Sequence, residues 1–312
     1  MAEARFEQTY ARSLVIVALG MLLLSAALSV PLAHRLIRPM QNIAVATRRL
    51  GQGDYEARAA VMSNDELGRL AQDINELAVA LDAAEHSRRQ WIADISHELR
   101  TPVAVLRGEL EALQDGIRPL TSDAVHSIHA EVLNLGRLID ELYELSLSDV
   151  GALTYRKQSL DLAALLEDSL NRLSGDFQAG GITVRFSGIG KVPVLVRGDP
   201  DRLTQVFRNL LLNSLRYTDP GGRLEVKVGV ESDQVRIDVM DSAPGVPEDK
   251  LDHLFERFFR VDPSRNRASG GAGLGLAISQ RIIAAHNGHI EALASPLGGL
   301  WIRVTLNLEK EG

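Results

Sequence analysis

The chain of 312 residues contains no cysteine. That excludes a disulfide scaffold, a cysteine-ligated zinc site and thiol catalysis. Aromatic residues are scarce, at 4%, which favours helices and coiled coil over a β-sandwich. Positive charge is also short: 34 Lys+Arg stand against 41 Asp+Glu, a net charge of −7 with a pI near 5.7. A general nucleic-acid binder needs a basic face, so no nucleic-acid partner is expected. Apolar residues are plentiful, at 45%, enough to bury a sizeable core. The length suits roughly two domains of ordinary size.

From Ser13 to Ala33 there is no charged residue (SLVIVALGMLLLSAALSVPLA). A helix of ~20 residues spans a hydrocarbon core of ~30 Å, and a signal-peptide core is usually shorter. Arg35, Arg38, Arg48 and Arg49 follow the run, whereas Arg5 and Arg12 before it are diluted by Glu3 and Glu7. This bias predicts a single-pass protein of the cell (inner) membrane, in contact with membrane lipid, whose C-terminal region is cytoplasmic. Residues 13–33 are then the membrane helix. Residues 1–12 are a short extracytoplasmic N-terminus, too few for a folded external domain.

Beyond the membrane, Pro39 is expected to start a new segment, with a short helix over 40–50 ended by Gly51, Gly53 and Asp54. Ser63 and Glu66, three apart, read as a capping box. Leu67, Leu70, Ile74, Leu77 and Leu81 then form an a/d seam. Two short helices joined by a connector after a membrane span, with Pro39 and the run Asp65-Glu66-Leu67-Gly68, resemble a HAMP relay over 34–85. A second seam runs through Ile92, Ile95, Leu99, Pro102 and Leu106. Counted in sevens from Leu67, the upper frame reaches Arg88, four residues short of Ile92. Such a stutter locally unwinds a coiled coil, and around Glu85–Gln90 it sets the two seams in conflict. A third seam, Val125 to Leu142, follows the turn cluster 116–122 with an expected N-cap at Ser122 or Asp123. The resulting hairpin, 86–150, leaves an apolar stripe half covered, which a homodimeric four-helix bundle would bury. Over 151–312 short strands alternate with helices, giving an α+β domain.

With Ile92 at a and Ile95 at d, His97 falls at f, the most exposed position. A neutral imidazole has one free lone pair, and a carboxylate on the other nitrogen's proton sharpens it as a nucleophile. Glu98 is adjacent and Thr101 lies one turn on. The run Ile95-Ser96-His97-Glu98-Leu99-Arg100-Thr101-Pro102 closely resembles the H-box of sensor histidine kinases. The resemblance implies that His97 is phosphorylated, that Glu98 is its base, and that Thr101 positions water when a partner is dephosphorylated.

Four further motifs follow in the order of that family. Asn209 and Asn213 sit four apart on one helix, followed by Arg216 and Tyr217; NLLLNSLRYT resembles the N-box. Amide oxygens are hard ligands suited to Mg²⁺, so Asn213 and Asn209 are the metal candidates. Asp241-Ser242-Ala243-Pro244-Gly245 resembles the G1 box, whose Asp accepts from the adenine amino group; Ser242-Ala243 departs from the commoner Asn-Gly. Leu254 to Arg260 resembles the F-box, and Arg260, Arg265 and Arg267 read as a lid. Gly271, Gly273 and Gly275 open a helix whose N-terminus would attract phosphate.

The resemblance covers about 35–308 and looks like the Bae-type envelope-stress branch. It implies a multidomain membrane protein: one transmembrane helix, a HAMP coiled coil, a dimerising hairpin and an α+β sandwich ATP-binding domain of the Bergerat fold. It further implies an ATP- and Mg²⁺-dependent protein-histidine kinase and a phosphatase, with the receiver domain of a cytoplasmic response regulator as partner. Three other protein types share parts of this pattern. A gyrase- or Hsp90-type ATPase would need a Glu where Asn209 stands. A chemoreceptor would lack the nucleotide boxes. A kinase-deficient phosphatase or scaffold would keep the architecture alone.

Overall fold

The computed structural model describes residues 2–149, 154–188, 193–261 and 272–309. The chain divides into two compact units, Met1–Asp94 and Ile95–Gly312.

In the first unit, α1 (Ala2–Leu32) runs through a π-helical turn (Ala33–Ile37) into α2 (Arg38–Gly51). The new segment expected at Arg38-Pro39 begins there as α2, with the helical path unbroken. The turn before it widens to π spacing, and Pro39 sits in the first turn of α2, where its missing N–H costs little. Among the described residues this is the one helix long and apolar enough to cross a membrane, by length and composition. Helix α3 (Glu66–Gln114) follows an extended connector. Its first turn is capped by Asp65, not by Ser63. One Asp65 oxygen accepts from the Leu67 and Gly68 amides (3.1 and 3.2 Å), and Ser63 donates to the same oxygen. An Asp side chain two residues from the free amides reaches them directly, so the Ser63–Glu66 box is not formed. A Cβ at Gly68 would lie 1.7 Å from the Ser63 carbonyl oxygen, so no other residue fits there. The connector is pinned by Asn75, whose amide bonds both the N–H and the C=O of Ala59 (2.8 and 2.9 Å). Ile43, Ala46, Ala59 and Ala71 pack beside it, with Ile74 against them. The predicted seam is split: Ile74 packs inward, while Leu70 and Leu77 are exposed.

The second unit begins with the remainder of α3, joined by a short turn to α4 (Ser122–Asp149). Glu109 accepts from Arg118 in the turn and from Ser127 across the hairpin (3.3 and 3.1 Å). The N-cap of α4 is Thr121, one residue ahead of the expected position, whose hydroxyl accepts from the Ala124 amide.

The α+β domain is a five-stranded sheet in the order β2-β4-β5-β7-β6. It comprises β2 (Thr183–Ser187), β4 (Arg223–Glu231), β5 (Gln234–Ser242), β6 (His289–Ala294) and β7 (Gly298–Asn307). All pairs are antiparallel except β2 with β4. β1 (Gln158–Asp161) and β3 (Leu195–Gly198) form a separate antiparallel pair. Alternate residues of the sheet, Leu224, Val226, Ile237, Val239, Ile302 and Val304, face one way and are buried. They belong to one core with Leu203, Phe207 and Leu211 of α7 (Pro200–Tyr217) and Ile278, Ile282 and Ile283 of α8 (Gly275–Ala285). α5 (Leu162–Arg172) and α6 (Ser174–Ala179) complete the layer. The strand β1 and the helix α6 were not expected: four and six residues are too short to carry a period. Asp199 caps α7 by accepting from the Asp201 and Arg202 amides (3.1 and 3.2 Å), with Pro200 at the first helical position.

Candidate functional site

His97 is exposed on α3, as the heptad frame predicts. Its flanking residues Ile95 and Leu99 pack inward against the core that includes Leu138 and Leu142 of α4. That packing turns position 97 outward. Among the described residues its imidazole makes no hydrogen bond, nor does Glu98, which is half-buried beside it. Thr101 lies one turn on, its hydroxyl donating to the His97 carbonyl at 3.3 Å. Pro102 is buried in the same helix. The site is therefore an open nucleophile with a carboxylate and a hydroxyl nearby, and none of the three is committed to a partner that excludes catalysis.

The second site lies in the α+β domain, on α7, the end of β5, the start of β7 and the start of α8. Asn209 and Asn213 are half-buried on one face of α7. The Asn209 amide donates to the Gly275 carbonyl (3.3 Å), which ties the N-box helix to the start of α8. Among the described residues neither amide oxygen accepts a hydrogen bond. The donor set suits a divalent cation that receives most of its ligands from phosphate oxygens. Among the described residues no cluster of three carboxylate or imidazole groups offers an alternative.

Asp241 is the penultimate residue of β5 and is 4% exposed. One oxygen accepts from the Leu300 amide at 2.6 Å and the other from the Ser214 hydroxyl at 2.9 Å. Burial pushes its carboxyl up to about 6, with the Leu300 and Ser214 hydrogen bonds pulling the other way. A buried acceptor of this kind can read the amino group of a base, because an unpaired amino group there would cost free energy. Missing side chains shape its surroundings. A Cβ at Gly299 would lie 2.3 Å from the Asp241 carboxylate, and one at Gly245 would lie 2.9 Å from the Gly298 carbonyl oxygen. The Ser242-Ala243 departure is accommodated. The Ser242 hydroxyl accepts from the Arg223 amide (2.9 Å), so the loop keeps a side-chain acceptor at that position.

Gly273 has φ +72, and a Cβ there would come within 2.9 Å of the Phe258 and Phe259 backbone. Its carbonyl accepts from the Phe258 amide (3.1 Å), binding the F-box to the glycine run. Gly275 begins α8 as expected. Arg260 is half-buried beside this junction in sequence, while Gly271, Arg265 and Arg267 lie outside the described residues. Tyr217 is half-buried and Arg216 exposed at the end of α7. Arg216 and Arg208 lie within electrostatic reach of Glu141 on α4, whose carboxyl is raised chiefly by burial. Glu144 of α4 accepts from both Arg202 and Gln205 at the start of α7. Helix α7 thus carries both Asn209, bonded to Gly275 at the start of α8, and Ser214, bonded to Asp241, while His97 stands on a different helix, α3. Ser214 and the Leu300 amide were missed. Ser214 stands inside the N-box run, next to Asn213, but its own role is not marked there; the Leu300 amide lies in no box, and each meets Asp241 only through the fold.

Three family models match the chain in order: "HAMP domain" at 32–83, "His Kinase A (phospho-acceptor) domain" at 87–151, and "Histidine kinase-, DNA gyrase B-, and HSP90-like ATPase" at 198–310. The signal transduction histidine-protein kinase BaeS of Escherichia coli is 50% identical over 299 residues, covering 96% of this chain and 63% of that protein. The sensor protein SphS of Synechococcus elongatus is 36% identical over 262 residues, covering 81% and 62% respectively. The solved structure of Acinetobacter baumannii histidine kinase AdeS is similar with a TM-score of 0.58 at 25% identity, over 69% of this chain and 98% of that one. The chain spans about three fifths of the length of the curated relatives it matches.

Proposed function

Because this chain belongs to the sensor histidine kinase family, we propose that it phosphorylates His97 from ATP and passes the phosphoryl group to an aspartate of a response regulator. The domain order HAMP, phospho-acceptor, ATPase is the premise. The observation that carries the reading is an exposed, unpartnered imidazole in the same chain as a recessed carboxylate able to read adenine.

In this reading Asp241 accepts from the adenine amino group, and the α8 N-terminus with Gly273 and Gly275 receives the phosphates. Gly271, Arg216, Tyr217 and Arg260 complete the nucleotide set. Asn213 and Asn209 would hold Mg²⁺, which supplies charge neutralisation when bound. The free imidazole nitrogen of His97 bonds to the γ-phosphorus as the phosphorus–oxygen bond to ADP breaks. Glu98 takes the proton from the other ring nitrogen. Transfer to the regulator reverses that proton movement, and Thr101 positions water for the phosphatase reaction. Positioning supplies most of the acceleration. The chain is further proposed to be a homodimer, single-pass in the cell membrane and in contact with lipid, with its catalytic region cytoplasmic. The bounds are 13–33 for the span, 34–85 for the relay, 86–150 for the hairpin and 151–312 for the catalytic domain.

Incubation with γ-labelled ATP tests this. The wild type should acquire acid-labile, base-stable label. His97→Gln should acquire none yet bind ATP as before, because the two sites are separate. Labelled His97→Gln protein would overturn the assignment, and an unlabelled wild type that binds ATP would favour the phosphatase or scaffold.

A further inference from the structure

Ser214 stands on the apolar side of α7, 3% exposed, in the same helix face as Leu210 and Leu211. A hydroxyl so placed must find an acceptor. The usual solution in a helix is to bond back to the carbonyl four residues earlier. Ser169, Thr204 and Ser279 in this domain all do so, donating to Leu165, Pro200 and Gly275 at 2.7 to 2.8 Å. Ser214 does not. It donates out of its helix to Asp241 on β5 at 2.9 Å.

The other Asp241 oxygen is held by the Leu300 amide at 2.6 Å, on the side where Gly299 has no side chain to intervene. The carboxylate thus has one donor per oxygen, from two different elements, which fixes its plane. A carboxylate so bonded offers only lone pairs in the remaining direction. Adenine presents an amino donor at its 6-position and guanine a carbonyl acceptor.

We propose that Ser214 is a positioning residue that sets nucleotide specificity, locking Asp241 as an acceptor so that the site takes ATP and refuses GTP. The proposal rests on the reading of Asp241 as the base-recognising group.

Burial already pushes Asp241 up to about 6, and Ser214 is one of only two hydrogen bonds opposing the rise. Among the described residues no charged group on α7, β4, β5 or β7 contributes to that shift. Without the hydroxyl the carboxyl would rise further, towards neutral pH. A protonated Asp241 would carry an O–H that donates to the guanine carbonyl. Removing Ser214 therefore weakens ATP binding, improves GTP binding relative to ATP, and moves the acid limb of ATP binding to higher pH.

The test is calorimetric titration of detergent-solubilised full chain with ATP and with GTP between pH 5.5 and 8, in wild type, Ser214→Ala, Ser214→Thr and Asp241→Asn. Alanine is a good helix former, so Ser214→Ala should fold. We expect its ATP affinity to fall about tenfold at pH 7, with the acid limb moved up by about one pH unit and the GTP-to-ATP preference moved towards GTP. Ser214→Thr, which keeps a hydroxyl, should restore the wild-type profile. If Asp241→Asn is impaired while Ser214→Ala matches wild type in affinity and pH profile, the Ser214 role is wrong and the base reading stands. A uniform loss at all pH values, unrescued by threonine, overturns it equally, since a merely structural hydroxyl would behave so. Unchanged ATP affinity in Asp241→Asn overturns the base reading and this proposal together.

Discussion

The α+β domain and the hairpin of the second unit treat apolar surface in opposite ways. In the α+β domain the side chains at sheet and helix periods meet each other, and Phe207, Ile237 and Val304 are fully buried within one chain. In the hairpin the seam residues Val125, Val132 and Ile139 are large, regular in spacing and exposed. A sequence pattern that predicts a buried seam is fulfilled by one chain in the first case and is only half fulfilled in the second. Periodicity therefore reports which face wants burial, not which molecule provides it. A second copy would supply the missing half of a four-helix bundle, which is the physical ground for the proposed homodimer.

The largest test of this contrast is a paired substitution. Phe207→Ala should cost the α+β domain about 3–5 kcal/mol, the range for emptying a fully buried aromatic site, seen as a fall in its denaturation midpoint. Ile139→Asp should leave that midpoint in place, because residue 139 is 51% exposed in one chain. It should instead raise the dimer dissociation constant about a hundredfold, ~2.7 kcal/mol, measured by sedimentation of the detergent-solubilised chain. If Ile139→Asp unfolds the α+β domain without changing association, the contrast is wrong.

A smaller effect separates stability from function inside the α+β domain. Asp241 is raised from 3.8 to about 6 by burial, so its ionised form is a burden on the empty fold at neutral pH. The sign follows: a carboxylate raised in the folded state loses stability as pH climbs from about 4 through 6, and none is recovered above. Asp241→Asn removes that burden. It should stabilise the nucleotide-free protein at pH 7 by about 1–3 kcal/mol while weakening ATP. Equal or lower stability of the Asn variant would contradict this.

Sequence legibility followed distance along the chain. The H-box was readable because Ile95, His97, Leu99 and Thr101 lie within two turns, so one heptad frame assigns inside and outside together. Asn209 and Asn213 were readable as an i,i+4 pair for the same reason. Ser214 was not, since its partner is 27 residues away and only the α7–β5 packing makes them neighbours. The Leu300 amide, 59 residues from Asp241, carries no side-chain signal at all. One local expectation failed because a shorter-range alternative won: Asp65 reaches the first amides of α3 before Ser63 can. The frame offset near Glu85–Gln90 leaves α3 unbroken, and Glu85 pairs there with Arg88 and Arg89.

The smallest expected effect concerns His286, which is buried where α7, α8 and β3 meet. Its Nδ1 donates to the Ile282 carbonyl at 2.7 Å, and its Nε2 accepts from the Asp199 amide at 3.0 Å. The second bond requires an unprotonated Nε2, so the neutral tautomer is built into the α7 cap. Burial lowers its pKa below 6.5, and Lys157 adds to the lowering. A histidine depressed in the folded state contributes stability that is present above its unfolded value and is lost as pH falls below 6.5. The loss is at most about 1.4 kcal/mol per pH unit, the limit for one proton. Asp241 works against it over part of the same range, since its protonation favours the fold as pH falls through about 6. The two are separated by measuring urea midpoints at pH 7.5 and 5.5 in an Asp241→Asn background, with and without His286→Gln. The histidine-containing protein should lose more stability on acidification than its Gln counterpart. Identical slopes would show that the Asp199 amide does not depend on a neutral His286.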